Sequence, residues 1–350
     1  MKHNLWALGR LAGRRVGLVP AVKANAYGHG VGIVGPVMAS GRGVVALGVA
    51  HVGEALEVRA LGIRRPVMIF GACLRGEMAD VVRGGFEAMI STEDEAKWFA
   101  AAARRAGRVA RVHVKVDTGM GRLGVWHEDA MALIEGVARS NDLALAGVCT
   151  HFACADTDRA FTRMQWRRFS KVRQMVKRRW PGARCHAANS AGLLGFPEAV
   201  GDLVRPGIAL YGSSPLRNRA GLFRPVMTWK ARVTLVREAE RGRTLSYGAT
   251  FTAVRRMRVA VVSAGYADGY SRAWSNRGVM LVNGRRCPVV GRVTMDQTLV
   301  DVTRAGDVRA GDEVVLIGPG LPVEELAEGL GTISYEVFCN VGPRVVRVAV

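Results

Sequence analysis

Short apolar segments alternate with helical patterns over the first two-thirds of the chain, and this alternation constrains the fold more than any other feature. Eight such segments occur before residue 211, and several are separated by amphipathic stretches. Eight apolar strands that alternate with helices predict an α/β fold, a parallel (β/α)8 TIM-type barrel. We place its strands at 16–22, 44–50, 67–70, 87–90, 110–116, 143–149, 183–188 and 203–210.

Two of the intervening stretches carry clear helix signals. Residues 92–107 begin with Thr92 and Glu95, whose spacing is typical of a capping box. Residues 163–180 place Phe169, Val172 and Val176 at helical spacing, with basic residues between them. We interpret the second stretch as an amphipathic helix whose basic face is solvated.

The pattern changes at about residue 226. Asn283-Gly284 lies between two apolar runs and predicts a hairpin, and residues 323–330 have the pattern of one short helix. The remaining apolar runs predict strands within 226–236, 257–264, 279–291, 298–303, 313–318 and 344–350. We therefore expect two domains, a barrel over residues 1–225 and a mainly β domain over residues 226–350.

The charge of the chain raises the question of an anionic partner. Fifty Lys and Arg against 29 Asp and Glu give a formal net charge of +21. Arginines occur in nearly every segment, and no zinc-finger, RNA-recognition or helix-turn-helix signature accompanies them, so we expect no nucleic-acid partner. No run of 18 apolar residues occurs and the N-terminus lacks a signal-peptide pattern, which predicts a cytoplasmic protein without a membrane partner.

The six cysteines are dispersed and none forms a CxxC pair. Cys149, His151 and Cys154 lie close together in the sequence, but no fourth ligand follows at a spacing that zinc sites use. We expect no metal site.

Candidate catalytic and ligand-binding residues follow the predicted strands. The first strand runs into VPAVKANAYGHG, which places Lys23 at the C-terminal face of the barrel, where catalytic groups collect. A lysine can form an imine with a carbonyl compound and an arginine cannot. Polar groups and glycines suited to a phosphate or carboxylate ligand also follow later strands, in VKVDTGMGRLG, THFA, HAANSAGLL and RPGIALYG.

Nine motifs together resemble one family. They are VKANAYGHG, VDTGMGRLG, THFA, HAANSA, VRPGIALYG, SYGATF, GYADGY, GRVTMDQ and TISYE. Their order and spacing are similar to those of the bacterial alanine racemases, and the resemblance covers residues 3–350. It implies a fold-type III pyridoxal 5'-phosphate enzyme, a head-to-tail homodimer with shared active sites, and interconversion of L- and D-alanine that supplies D-alanine for peptidoglycan.

The resemblance also implies roles for single residues. Lys23 matches the lysine that binds the cofactor and then acts as base or acid on one face of the substrate Cα. Tyr247, contributed by the partner subunit, matches the base on the opposite face. His151 and Arg205 match the groups that stabilise the phenolate form of that tyrosine. Both also match cofactor-binding positions: His151 one that packs on the cofactor ring, and Arg205 one that faces its pyridine nitrogen.

The remaining matched positions concern the phosphate and the substrate. The phosphate-binding set comprises Tyr27, Ser190 and Tyr335 with the backbone amides of Ser190, Gly207 and Ile208. Arg122 and the backbone amide of Met295 match the groups that bind the substrate carboxylate. Lys115 matches a lysine that is carbamylated in many relatives.

The substrate range follows from the entrance of the site. Tyr335, Ile333 and the partner's Tyr266 match a bulky gate that admits alanine, whereas racemases of broader range tend to have smaller residues there. Alanine is therefore the expected substrate, with serine or a basic amino acid as the alternative.

Three other classes of protein remain open at this stage. Single-domain pyridoxal phosphate carriers share the barrel but lack residues 226–350, and amino-acid decarboxylases of this fold match the motifs less well. Nucleic-acid binding is the third class. One departure from the family is also visible: the chain begins almost inside the first helix, about ten residues after the usual first strand, so either the true start lies upstream or the β domain lacks a strand.

Overall fold

The computed structural model describes residues 1–350, apart from the side chains of Arg217 and Ala220. The chain forms two compact units. The first unit comprises Met1–Ala26 and Gly30–Arg224, and the second comprises Tyr27–His29 and Pro225–Val350. Among the described residues, no helix has the length and apolar character needed to cross a membrane.

The first unit contains a curled sheet of parallel strands. Along the sheet the strands follow the order β1-β9-β8-β7-β5-β4-β3-β2, and β6 pairs with β5 outside this path. The strands are β1 (Gly17–Leu18), β2 (Leu47–Val49), β3 (Val67–Ile69), β4 (Glu87–Ile90), β5 (Ala110–Asp117), β6 (Val125–Trp126), β7 (Leu143–Cys149), β8 (Arg184–His186) and β9 (Leu203–Val204).

Parallel bridges join the two ends of this path. Leu18 pairs with Val44 and Ala21 pairs with Gly48, and Val22 N donates to Gly48 O at 2.8 Å. The sheet therefore closes on itself, and the predicted (β/α)8 barrel is confirmed.

One helix precedes the first barrel strand, and the other helices each follow a strand. They are α1 (Lys2–Ala12), α2 (Val31–Ala39), α3 (Val52–Ala60), α4 (Met78–Arg83), α5 (Glu93–Ala106), α6 (Ala130–Arg139), α7 (Arg159–Arg179) and α8 (Ser190–Gly195), with short 3-10 turns at Arg75–Glu77, Pro197–Ala199, Ile208–Tyr211 and Arg217–Leu222. The capping box of α5 is confirmed, because Glu95 N donates to Thr92 Oγ1 at 3.1 Å and Thr92 N donates to Glu95 Oε2 at 3.0 Å. Helix α7 buries Phe169, Val172 and Val176 as predicted.

The last predicted barrel strand is too long. Strand β9 ends at Val204, and Ile208–Tyr211 forms a 3-10 turn instead of continuing the strand. Pro206 has no N–H to extend a ladder, although its carbonyl accepts a hydrogen bond from Ala21 N at 2.9 Å. The chain therefore leaves the sheet directly after β9.

The second unit is mainly antiparallel. Six strands follow the order β15-β14-β17-β10-β13-β16, and β11 pairs separately with β12. The strands are β10 (Trp229–Ala239), β11 (Thr244–Leu245), β12 (Phe251–Thr252), β13 (Met257–Val262), β14 (Val279–Val282), β15 (Arg285–Pro288), β16 (Thr298–Asp301) and β17 (Glu313–Ile317), with 3-10 turns at Tyr247–Ala249 and Arg272–Trp274. Asn283 and Gly284 connect β14 to β15 with φ values of 51° and 71°, so the predicted hairpin is confirmed.

Two details of this unit differ from the prediction. The single predicted helix, α9 (Val323–Gly329), is followed by a second one, α10 (Ser334–Cys339). The predicted strand at 344–350 is wrong, because this segment pairs with no strand among the described residues. Its side chains serve another purpose: the Arg347 guanidinium donates to several backbone carbonyls, Gly28 O at 2.9 Å among them.

A column of polar side chains lies inside the barrel. Glu87, the first residue of β4, accepts hydrogen bonds from Arg184 at 2.8 Å and from Arg111 at 3.0 Å. Its other oxygen lies 3.0 Å from His113 Nε2, and His113 Nδ1 lies 3.0 Å from His186 Nε2. Because parallel strands share their direction, this column starts at the N-terminal end of the barrel and runs toward its C-terminal mouth.

Burial controls the protonation of this column. It lowers the pKa of both His113 and His186, so that these imidazoles are neutral in the folded protein. Burial alone raises the pKa of Glu87, but the hydrogen bond from His113 and the charge of Arg184 outweigh it and bring the pKa to about 2. Glu87 is therefore ionised at neutral pH.

These shifts predict an acid-sensitive fold. Below about pH 6.5 the unfolded chain binds protons at His113 and His186 that the folded chain excludes, so the free energy of unfolding falls by up to about 1.4 kcal/mol per pH unit for each histidine. The contribution of Glu87 is complete above about pH 4.5 and is lost as the pH falls toward 2. Urea unfolding between pH 8 and pH 5.5 measures the histidine part, and a stability that rises on acidification would contradict it.

Candidate active site at the barrel mouth

Lys23 follows β1, and a left-handed turn comes directly after it. Residues 24–27 have φ values between 49° and 55°, although none of them is glycine. Such a conformation costs about 1–2 kcal/mol for each residue and is found where function requires it. Asn25 holds the turn in place, since its Oδ1 accepts a hydrogen bond from Val31 N at 2.7 Å. No local signal predicts this turn, because left-handed segments are normally marked by glycine.

Arg205 follows β9 and lies at the centre of the mouth with 5% of its surface exposed. Its Nη2 donates to Thr150 O at 2.7 Å and to Ala187 O at 3.0 Å, and its Nη1 donates to His186 Nδ1. Among the described residues, no acceptor meets its Nε–H. His186 was not a predicted site residue; its only signal was a histidine inside an apolar strand.

His151 lies next to Arg205. Arg205 Nη2 is 3.4 Å from His151 Nδ1, which makes Nδ1 the acceptor and leaves the ring hydrogen on Nε2. Burial lowers the pKa of His151 well below its ordinary value, and the charges of Arg205 and Lys115 act in the same direction. His151 is therefore a neutral imidazole that can donate a hydrogen bond from Nε2.

Lys115 is buried on β5, and its amine is unusually easy to deprotonate. Burial lowers the pKa of Lys115 to about 8, and the positive charges of Arg205 and Arg122 contribute to this shift. Arg122 itself lies in an exposed loop. A neutral amine is the form that reacts with carbon dioxide to give a carbamate, so this environment suits the modification that the resemblance implies.

The residues of the first unit that are predicted to bind the phosphate lie close together. Ser190 begins α8, is 2% exposed, and its Oγ accepts hydrogen bonds from Gly207 N at 2.9 Å and from Ala209 N at 3.4 Å. Within the described residues, the backbone N–H groups of Ser190 and Ile208 meet no acceptor. Each of these two residues begins a helical turn, whose first N–H groups have no acceptor within the turn and can donate to an anionic group.

Further predicted residues lie in the second unit. The rings of Tyr27 and Tyr335 pack with centroids 5.9 Å apart. Tyr247 is 72% exposed and lies between Ser246, with a φ of 64°, and Gly248, with a φ of 70°. The strained Ser246 is held by a hydrogen bond from its Oγ to Arg292 O at 2.6 Å. This loop leaves the side chain of Tyr247 accessible to solvent.

Tyr266, Met295 and Ile333 are also exposed in the second unit. Two hydrogen bonds join the loops of the first two, from Tyr266 N to Thr294 O and from Ala267 N to Met295 O, each at 3.0 Å. No acceptor among the described residues meets the N–H of Met295. All three side chains are therefore accessible at the surface of this chain.

Comparisons with known proteins agree with this arrangement. Residues 1–215 match the family model "Alanine racemase, N-terminal domain", and residues 226–349 match "Alanine racemase, C-terminal domain". The chain is 42% identical to an alanine racemase of Desulforamulus reducens over 355 residues, which cover 99% of this chain and 96% of the relative. A similar relative, from Symbiobacterium thermophilum, is also 42% identical and covers 99% of this chain and 94% of its own.

Solved structures give the same result. The alanine racemase of Streptomyces coelicolor superposes with a TM-score of 0.92 at 35% identity and covers 99% of this chain and 94% of its own. The alanine racemase of Clostridium difficile has a TM-score of 0.93 at 31% identity, with coverage of 98% and 91%. Since both the sequence and the fold match over nearly the whole length, the chain belongs to the alanine racemase family of isomerases.

Proposed function

We propose that the protein interconverts L- and D-alanine with pyridoxal 5'-phosphate, using Lys23 and the partner subunit's Tyr247 as its two acid–base groups. One observation carries this proposal: the buried guanidinium of Arg205 lies within hydrogen-bond distance of the neutral His151. The charge of Lys23, which follows β1, acts on the same imidazole. The relatives named above are described as alanine racemases, which supports alanine as the substrate.

The residues of the first unit fit the cofactor. Lys23 offers an amine for covalent attachment, and the partnerless amides of Ser190 and Ile208 offer donors to a phosphate. The free Nε–H of Arg205 offers a donor to a ring nitrogen. When bound, pyridoxal phosphate withdraws electrons from the substrate and makes its Cα–H acidic. Because a guanidinium cannot accept a proton, Arg205 keeps the ring nitrogen unprotonated and limits how far charge moves from Cα.

Racemisation requires a proton to leave one face of Cα and another to arrive on the opposite face. The Lys23 amine serves one face and the phenol of the partner's Tyr247 serves the other. A tyrosine with an ordinary pKa of about 10 is almost fully protonated at neutral pH and cannot take up a proton in that form. The Nε2–H of His151 and the charge of Arg205 stabilise the phenolate, which enlarges the fraction of this tyrosine that can act as the base.

Three further groups hold the substrate in place. The Arg122 guanidinium and the Met295 N–H bind its carboxylate, which fixes Cα between the two bases. A carbamate on Lys115 replaces a positive charge with a negative one and orients Arg122. This modification is consistent with the pKa of about 8 that burial gives to Lys115.

The remaining expectations concern assembly and cellular role. The exposure of Tyr247, Tyr266 and Ile333 supports a homodimer in which each subunit completes the site of the other. We expect the D-alanine formed in the cytoplasm to serve peptidoglycan synthesis. Broader racemases of the same fold remain the alternative, and the bulky residues Tyr335 and Ile333 favour alanine over larger substrates.

Replacing Lys23 tests the reaction and the attachment of the cofactor together. The wild type should racemise alanine faster than serine, lysine or arginine, and borohydride reduction should attach the cofactor to the peptide that contains Lys23. The Lys23→Ala variant should lose the adduct and at least about 10³-fold in rate. Lys97→Ala, which changes an exposed lysine, should behave as the wild type. An adduct that persists in the Lys23 variant would place the cofactor on another lysine.

Subunit mixing tests the shared site. Lys23→Ala and Tyr247→Phe should each be severely impaired alone. After exchange, about half of the dimers carry one subunit of each kind, and in each of these one site holds both changes and the other holds neither, so activity should return to about a quarter of the wild-type level. If both residues served the site of their own chain, every site would keep one change.

The extent of exchange must be measured separately, for example by isolating heterodimers through a tag on one subunit. Isolated heterodimers without activity would disprove the contribution of Tyr247 from the partner. Two Lys23→Ala subunits with different tags provide the matched control, since their exchange restores no site.

The gate can be tested through substrate choice. Ile333→Ala enlarges the entrance, so the ratio of kcat/KM for serine to that for alanine should rise by about 10-fold, since one or two methylene groups change discrimination by this order. Val254→Ala, which shortens another exposed apolar side chain, should leave the ratio unchanged. An unchanged ratio in both variants would place the control of specificity elsewhere.

A further inference from the structure

The polar column inside the barrel ends at Arg205. Beginning from the N-terminal end, Glu87 Oε2 lies 3.0 Å from His113 Nε2, and His113 Nδ1 lies 3.0 Å from His186 Nε2. His186 Nδ1 then meets Arg205 Nη1. The proposed mechanism uses Arg205 but assigns no role to the other three side chains, which are 0–3% exposed.

The two ends of the column determine where its hydrogens lie. An ionised carboxylate can only accept and a guanidinium can only donate, while a neutral imidazole has one donor and one acceptor nitrogen. Only one arrangement satisfies all three contacts: His113 and His186 are both neutral, and each carries its hydrogen on Nε2. A hydrogen on Nδ1 of His186 would point at an N–H of Arg205.

The contacts of Glu87 keep it a hydrogen-bond acceptor for His113 at the N-terminal end of the column. Both of its oxygens lie 2.8 Å from Arg184 Nη2, and Oε1 also accepts from Arg111 Nε at 3.1 Å. Two guanidinium groups thus keep the carboxylate ionised at a position where 3% of the residue is exposed.

The backbone makes room for this column. A Cβ on Gly147 of β7 would lie 2.3 Å from the backbone oxygen of Arg184 and 2.5 Å from His113 Nδ1, so a larger residue would displace the neighbouring strand, the ring or both. At the other end, the bonds from Arg205 Nη1 to His186 and from Nη2 to Thr150 O hold one edge of the guanidinium. The opposite edge, which carries Nε, stays available at the mouth.

We propose that Glu87 is a positioning residue for the reaction: through the fixed hydrogens of His113 and His186, it holds Arg205 in the orientation that presents Nε–H at the barrel mouth. The proposal rests on the proposed function, since it assumes that Arg205 faces the cofactor ring. A carboxylate that fixes the tautomer of a histidine is a recurring device in catalysis. Here it acts through two histidines in series.

Neutron diffraction of the wild-type holoenzyme tests the first half of this proposal without an activity measurement. Deuterium should occupy Nε2 and be absent from Nδ1 in both His113 and His186. Deuterium on Nδ1 of either ring would overturn the proposal, whatever the enzyme catalyses. This measurement does not depend on whether any variant folds.

Replacing Glu87 tests the second half. Glu87→Gln retains the shape but removes the charge, and its amide can offer a donor as well as an acceptor, so the order of hydrogens along the column is no longer fixed. We expect kcat for alanine to fall by about 10- to 100-fold while KM changes by less than about twofold, because Arg122 and Met295 bind the substrate carboxylate. Cofactor content and dimer content should match the wild type.

Arg111→Gln provides the matched control. It removes a contact to the same carboxylate from the solvent side, where the Arg111 side chain is 53% exposed, but leaves the acceptor for His113 in place, so kcat should stay within about twofold of the wild type. An active wild type whose kcat survives Glu87→Gln would overturn the proposal and leave the racemase function intact. An inactive wild type would instead disprove the proposed function, and the neutron result would still decide the tautomers.

Discussion

The first unit is arranged around one buried positive charge, the guanidinium of Arg205, which meets no carboxylate among the described residues. A buried charge without an opposite partner costs several kcal/mol, and the barrel offsets this cost with oriented neutral groups. The carbonyls of Thr150 and Ala187 accept from Nη2, and His186 and His151 each turn an imidazole lone pair toward the same guanidinium. Both histidines must therefore stay neutral while Arg205 is charged.

The same charge shapes the rest of the mouth. Lys115, Arg122 and Lys23 are near enough for their charges to act on His151 together with that of Arg205, so four cationic side chains lie near one imidazole. Clusters of like charge are unfavourable unless an anion joins them. A phosphate group and a substrate carboxylate supply such anions, and a carbamate on Lys115 would supply another. The charges of these side chains and the chemistry of the proposed ligands are thus complementary.

Some of this architecture follows from local sequence and some does not. The strands at 87–90 and 143–149 end where the apolar runs end, since a buried parallel strand is little more than such a run. The segment at 344–350 has an apolar pattern that is equally typical of a strand, but a strand also needs the edge of another strand with which to pair. In the structure the Arg347 side chain of this segment donates hydrogen bonds to the backbone carbonyls of Gly342 and Val345 instead. Local pattern cannot report the presence of a free edge.

The residues of the candidate site likewise fall into those that the sequence predicts and those that it does not. The order of the motifs identifies Lys23, Arg205 and His151 as candidates, and in the structure His151 lies within hydrogen-bond distance of the Arg205 guanidinium. The catalytic roles of these residues, of Tyr247 and of the other matched residues stay predictions. The left-handed turn at 24–27 has no local signal, because tertiary contacts impose it on residue types that rarely adopt positive φ values. Glu87 and His113 were overlooked for the opposite reason: each was visible as a polar residue in an apolar strand, but their 26-residue separation gives no indication that the rings and carboxylate meet.

The distance between Arg205 and its nearest buried carboxylate along the column has a chemical consequence. A carboxylate in direct contact with Arg205 would compensate its charge more simply, but it would place a proton-accepting group next to the ring nitrogen that Arg205 faces in the proposed site. Glu87 lies two imidazoles away, at the start of β4. The aligned rings transmit the effect of its charge to the guanidinium through polarised hydrogen bonds, while Arg205 itself offers only N–H donors at the mouth. The barrel thereby compensates a buried cation and still presents a group that cannot take up a proton.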